Sequence, residues 1–164
     1  MFEIVVLVLL IGVLIITFID RILRLQIDAE RVSVQHMIGT LNSAVNLQVA
    51  EMVVNRGLDS IRSLENTNPL SYLSELPQSY VGIKSDAEAE QHPVASWYYD
   101  PAQNILVYKV KNKNYFETSL PGTARIRLKI ELIYKEVISR GQGSRVQAIS
   151  VKSLDAYHWK LNRS

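Results

Sequence analysis

Hydrophobic positions fall into three regimes along the chain. From Ile4 to Ile19 the run IVVLVLLIGVLIITFI holds no charge, and only Gly12 and Thr17 are not large hydrophobes. Its length is slightly short of the roughly 20 residues that an upright transmembrane helix needs. Phe2 on one side and Ile22, Leu23 and Leu25 on the other extend it, while Arg21 and Arg24 can snorkel to the interface. A cleaved secretory signal would need a basic leader region and a small-residue cleavage site. Only Met1, Phe2 and Glu3 precede the run, and no A-x-A pattern follows it. Residues 1–25 are therefore expected to be an uncleaved transmembrane helix.

The second regime is amphipathic. Between Asp20 and Glu65 there is no proline, and Gly39 and Gly57 are the only glycines. Val34, Ile38, Leu41, Val45, Val49 and Met52 recur at spacings of three and four, the signature of one apolar helical stripe. Ile61 and Leu64 continue it approximately, and Gln35, Asn42, Asn46, Glu51 and Asp59 are expected on the opposite face. Residues 26–65 thus read as a continuation of the same helix, bent or broken near Gly39 or Gly57, where glycine weakens a helix by about 1 kcal/mol. Asn66-Thr67-Asn68-Pro69 ends it, because the residue before a proline resists helical geometry. Asn68 can cap a short helix from Pro69 to about Glu75, which Pro77 closes. Lys84 to Pro93 is polar and acidic and reads as a solvated surface loop.

The third regime has period two. Trp97-Tyr98-Tyr99 opens a strand that Asp100-Pro101 ends, and Ile105 to Lys111 returns after a turn at Ala102-Gln103-Asn104. From Arg125 to Lys135, Ile126, Leu128, Ile130, Leu132 and Tyr134 alternate with Arg125, Arg127, Lys129, Glu131 and Ile133. That pattern describes a strand wet on one side. Gly141-Gln142-Gly143 is the expected turn into a last strand from Arg145 to about Trp159, broken near Ser153. The whole is an α+β chain: one long helix whose stripe roofs a small antiparallel sheet, with residues 66–164 forming a head of about four strands.

The chain has 164 residues, a net charge of +2 and no cysteine. That balance gives no reason to expect nucleic acid, and the lack of cysteine excludes disulfides and thiolate metal sites. His36, His92 and His158 are scattered without zinc-site spacing. Asp86, Glu88 and Glu90 alternate as in a calcium loop, but the required glycine and distal glutamate are missing. No phosphate loop or nucleophile elbow is present. The reading is of a chain that is no enzyme and carries no cofactor. The aromatics Trp97 and Tyr99 and the cations Arg125 and Arg127 are the candidate interaction surface of the head, weighed against packing for the former and a wet sheet face for the latter.

The stretch from Glu3 to Leu14, a glutamate with a glycine nine positions later inside an aliphatic run, resembles the N-terminal segment of type IV pilins and type II secretion pseudopilins. The layout of one long helix before an antiparallel sheet resembles them too. Trp97-Tyr98-Tyr99-Asp100-Pro101 and Leu106-Val107-Tyr108 resemble most the minor pilin-like biogenesis proteins of the mannose-sensitive haemagglutinin pilus. The family's basic leader, its glycine and its first phenylalanine are not found in the two residues before Glu3, which suggests either a leaderless accessory or further residues upstream. The resemblance implies helix packing through Glu3 and Gly12, with other pilin-like subunits, inner-membrane assembly proteins and membrane lipid as partners. Glu3 would sit in the head-group layer or pair with another subunit's terminal amine. Arg21, Arg24 and Arg31 after the span would, by the positive-inside rule, favour a cytoplasmic head; the resemblance implies a periplasmic one, and that orientation is adopted.

Overall fold

A computed structural model describes residues 2–135 and 145–160. The expected turn at Gly141-Gln142-Gly143 lies outside them. Helix α1 runs unbroken from Phe2 to Arg56, 55 residues or about 80 Å. It passes straight through Gly39 and stops at Gly57, whose φ of 80° is cheap only for glycine. Residues 58–64, expected to continue the α-helix, instead form a 3-10 turn, Leu58–Leu64, that folds Ile61 and Leu64 into the core. A second 3-10 turn, Pro69–Tyr72, takes the place of the short helix; its cap is as expected, the Asn68 side chain accepting from the Leu70 N–H at 3.1 Å.

Among the described residues seven strands follow: β1 (Tyr80–Ile83), β2 (Ser96–Asp100), β3 (Ile105–Lys109), β4 (Phe116–Thr118), β5 (Arg125–Lys135), β6 (Arg145–Ser153) and β7 (Tyr157–Trp159). Five form one sheet in the order β1-β2-β3-β5-β6, and β4 pairs with β7 in a two-stranded annex. The break near Ser153 is real and sends β7 away from β6 to Phe116 and Thr118. The sheet is mixed rather than purely antiparallel, because β1 runs parallel to β2. Sequence periodicity misses β1: it has four residues, and Gly82 interrupts it.

That parallel pair explains a larger difference. Two parallel neighbours need a crossover connection, and residues 84–95 supply it. Successive strand residues point to opposite faces. Trp97, Leu106 and Tyr108 therefore join the core under α1, while Tyr98, Ile105 and Val107 project to the far face. The crossover covers them, burying Ala89 among them and placing His92 edge-on to Tyr98 at 4.6 Å. The stretch expected as a solvated loop is therefore a roof, and Asp86 and His92 are buried. Buried Lys109 staples it down by donating to the carbonyls of Glu90 at 2.9 Å and His92 at 2.5 Å.

On the near face the stripe does what its spacing implies. Val34, Leu41, Val45 and Met52 are buried, with Ile38 and Val49 half-buried against the same cluster. Truncating Leu41, which is 0% exposed, to alanine should cost about 2–5 kcal/mol. Leu47→Ala on the opposite face, where Leu47 is 73% exposed, should change stability by less than about 0.5 kcal/mol. Chemical denaturation of the two variants in detergent micelles checks the contrast.

Candidate functional site: an exposed apolar helix clasped to the head

Apart from Gly12, which is half-covered, every described side chain from Phe2 to Gln26 is exposed, so the apolar half of α1 packs against no part of the head. It is the one helix among the described residues long and apolar enough, by length and composition, to cross a membrane. Its few polar features suit an apolar solvent. Thr17 turns its hydroxyl back to the carbonyls of Leu14 at 2.9 Å and Val13 at 3.1 Å, so no donor is left open. Glu3 is exposed near the start of the helix. Gly12 has no neighbouring atom within 4 Å of where a side chain would begin, leaving room beside the backbone there.

Contact with the head begins at Ile27, which is buried. One turn later the Glu30 carboxylate, also buried, gathers four donors. Oε1 accepts from the Tyr108 hydroxyl at 3.1 Å and the Lys111 N–H at 2.6 Å; Oε2 accepts from the Asn112 N–H at 3.0 Å and its Nδ2 at 2.6 Å. No cation takes part. Hydrogen bonds to a charged acceptor are worth more than neutral ones, and losing them strands buried donors. Glu30 therefore ties the helix to the end of β3. Tyr108 holds its proton well above the usual phenol range, first through burial, then through the neighbouring Glu30 charge and their hydrogen bond.

A second tie lies three turns on. Asn42 Oδ1 accepts from the Val151 N–H at 2.8 Å and the Ser150 hydroxyl at 3.2 Å, and its Nδ2 donates to the Val151 carbonyl at 3.3 Å. Val151 stands opposite Ile130 and turns its own backbone groups outward. The amide thus occupies the free edge of β6, a row of polar groups that would otherwise face solvent or another strand. Asn42 is not on the open helix face where its polarity had put it.

On the far side of the sheet a buried polar knot holds the roof. Tyr98 donates to Asp86 Oδ1 at 2.8 Å, and Asp86 N–H donates to Asp100 Oδ2 at 2.8 Å. Arg125 Nε lies 2.9 Å from Asp86 Oδ1, an ionic contact off the line of a hydrogen bond. Arg127 grips Asp155 with two bonds of 2.7 and 2.8 Å, which raise its pKa.

These contacts correct the expected head surface. Trp97 and Tyr99 are 3% and 8% exposed, so neither offers a face to a partner. Trp97 packs on Tyr108 beneath the helix. The guanidinium groups of Arg125 and Arg127 are committed to Asp86 and Asp155 within the head. Among the described residues no cluster of His, Asp or Glu could hold a metal ion. Glu30 was legible and missed: a carboxylate three residues after Ile27 and four before Val34 lies on the apolar stripe itself. Asn42, four after Ile38 and three before Val45, does likewise.

The fold and site define an α+β head joined without a flexible hinge to one helix fit to cross a membrane. No family model matches the chain, and no curated protein or solved structure matches it.

Glu30→Gln should destabilise the chain by about 2–3 kcal/mol, and Asn42→Ala by about 1–3 kcal/mol, because each leaves buried or edge groups unpaired. Burial raises the pKa values of Tyr98, Tyr99, Tyr108 and Tyr157. A group with a raised folded pKa stabilises fully below its unfolded value, about 10 for a phenol, and loses that contribution as pH rises further. The denaturation midpoint should hold steady from about pH 7 to 9 and fall above about 10. Tyr108→Phe should flatten the fall without abolishing it.

Proposed function

We propose that this chain is a non-enzymatic pilin-like subunit or biogenesis factor of a type IV pilus, of the mannose-sensitive haemagglutinin kind. It is held in the bacterial inner membrane by the first half of α1 with its head in the periplasm. The observation that carries the reading is the division of one continuous helix. Its first half is apolar and exposed, and its second half is roofed by the sheet and clasped at Glu30 and Asn42. A helix apolar all round is stable only in lipid or among other helices. The same surface can therefore serve as a membrane anchor and as a packing element in a fibre. In that role Glu3 seeks a positive partner on a neighbouring subunit and Gly12 admits close helix approach. The resemblance in Glu3 to Leu14 and in the aromatic strand pair supports the same assignment.

The test is to shear surface fibres from cells making the chain and to compare fibre and membrane fractions by intact mass and N-terminal sequencing. The reading expects the chain in the fibre fraction, with Glu3→Gln lowering its incorporation and deletion reducing piliation. A chain confined to membranes, with piliation intact on deletion, would overturn it. Loss of protein secretion without loss of pili would move the chain to the pseudopilins. Loss of pili with the chain never in fibres would make it a membrane-resident assembly factor.

A further inference from the structure

We propose that the rim where the head meets α1 is a basic collar that docks on anionic phospholipid headgroups. Arg31, Lys111 and Lys113 are its contacts, with Arg21 and Arg24 at its inner edge. The proposal rests on the membrane-anchoring part of the reading above and adds a lipid preference to it.

Height along the continuous helix α1 sets where the rim lies. A hydrocarbon layer of about 30 Å takes about 20 helical residues, so a span that begins at Ile4 leaves the layer near Leu23. The head closes on the helix from Ile27. Glu30 bonds the backbone N–H of both Lys111 and Asn112, which fixes that loop at the height of Glu30. Seven residues separate Leu23 from Glu30, or about 10 Å. Lys111 and Lys113 are exposed there. Arg31 is half-buried beside Glu30, and helical side chains lean toward the N-terminus, here toward the membrane. The field of an anionic leaflet fades over a Debye length of about 8–10 Å at ordinary salt. A collar at that height lies within it.

Electrostatics within the head do not already consume the three contact cations. Four ion pairs in the head hold Arg125, Arg127, Lys152 and Lys160, and none of the four involves Arg31, Lys111 or Lys113. Arg31 Nε is buried with no hydrogen-bond partner. Beside Asp28 and Glu30, the acids Glu90 and Glu117 line one cavity with Lys113, and Glu117 is paired with Lys160 at 2.7 Å. Asp28 is half-buried, and Glu30 is occupied by four donors of which none is a charged side chain. Lipid phosphates offer acceptors in a plane at the collar's height, which suits guanidinium and ammonium groups.

The chain has no cysteine, so Asn114→Cys, at an exposed position beside the collar, carries a single uncharged fluorophore. The full chain is reconstituted in vesicles of phosphatidylcholine alone or with about 30% phosphatidylglycerol, and quenching by acrylamide is measured. The collar predicts about twofold weaker quenching with phosphatidylglycerol at low salt, returning to the phosphatidylcholine value at about 0.5 M salt. It predicts no lipid difference for Arg31→Gln/Lys111→Gln/Lys113→Gln. These changes spare the Glu30 clasp, which uses the backbone of Lys111, and an unchanged thermal unfolding curve verifies the fold. Equal quenching of the unsubstituted chain in both lipids overturns the proposal, as does a triple variant that keeps the full lipid effect. Alkaline carbonate extraction separates the two readings. A chain that washes out of both vesicles removes the anchor and the collar together, whereas a retained chain indifferent to lipid removes the collar alone.

Discussion

One uninterrupted helix must satisfy two surroundings, and everything in the head is arranged around its second half. The apolar stripe from Val34 to Met52 supplies the burial that closes the core. Burial alone is non-directional and would let the helix slide or roll on a flat sheet. Glu30 and Asn42 remove that freedom, one at the end of β3 and the other at the edge of β6. No proline interrupts α1, and its one backbone departure comes at Gly57, after both ties.

The head answers a second constraint. A small sheet with aromatic strands has two faces to cover, and one helix can cover only one. The parallel start of the sheet brings a crossover to the other face, where Ala89, Tyr98, Ile105 and Val107 form a second cluster. Its polar groups are used internally: Asp86 meets Tyr98 and Arg125, and Lys109 reaches the roof's carbonyls. A knot of this kind gives direction to a connection with little apolar surface of its own. Arg125 is held by this knot and Arg127 by Asp155, while Trp97 and Tyr99 are buried, so none of the four is left for a partner to touch. The surface available for interaction shifts to the bare apolar helix and to the cations near its junction with the head.

Most elements were legible because their periods are strong. The helical stripe, the hairpin from Trp97 to Lys109, the alternation from Ile126 to Leu132 and the Asn68 cap each follow from local spacing or local sterics. What misled was reading polarity as exposure. Asp86 and His92 are polar and local in sequence, but Asp100 and Tyr98, against which they are buried, lie on another element, so no window around them shows their burial. β1 escaped notice because its strand character depends on pairing with β2 rather than on its own four residues.

The sequence by itself determined the length and apolarity of the exposed half of α1, the stripe that continues it, and the α+β order of the head. These are properties of composition and period, which act through solvent transfer and backbone geometry without reference to distant residues. Only the tertiary structure decided that the helix passes Gly39 unbroken, that residues 84–95 are a roof, and that Glu30 and Asn42 are ties rather than solvated side chains. The roof and the two ties depend on long-range hydrogen bonds, and a polar group held this way declares its role only when its partner is in place.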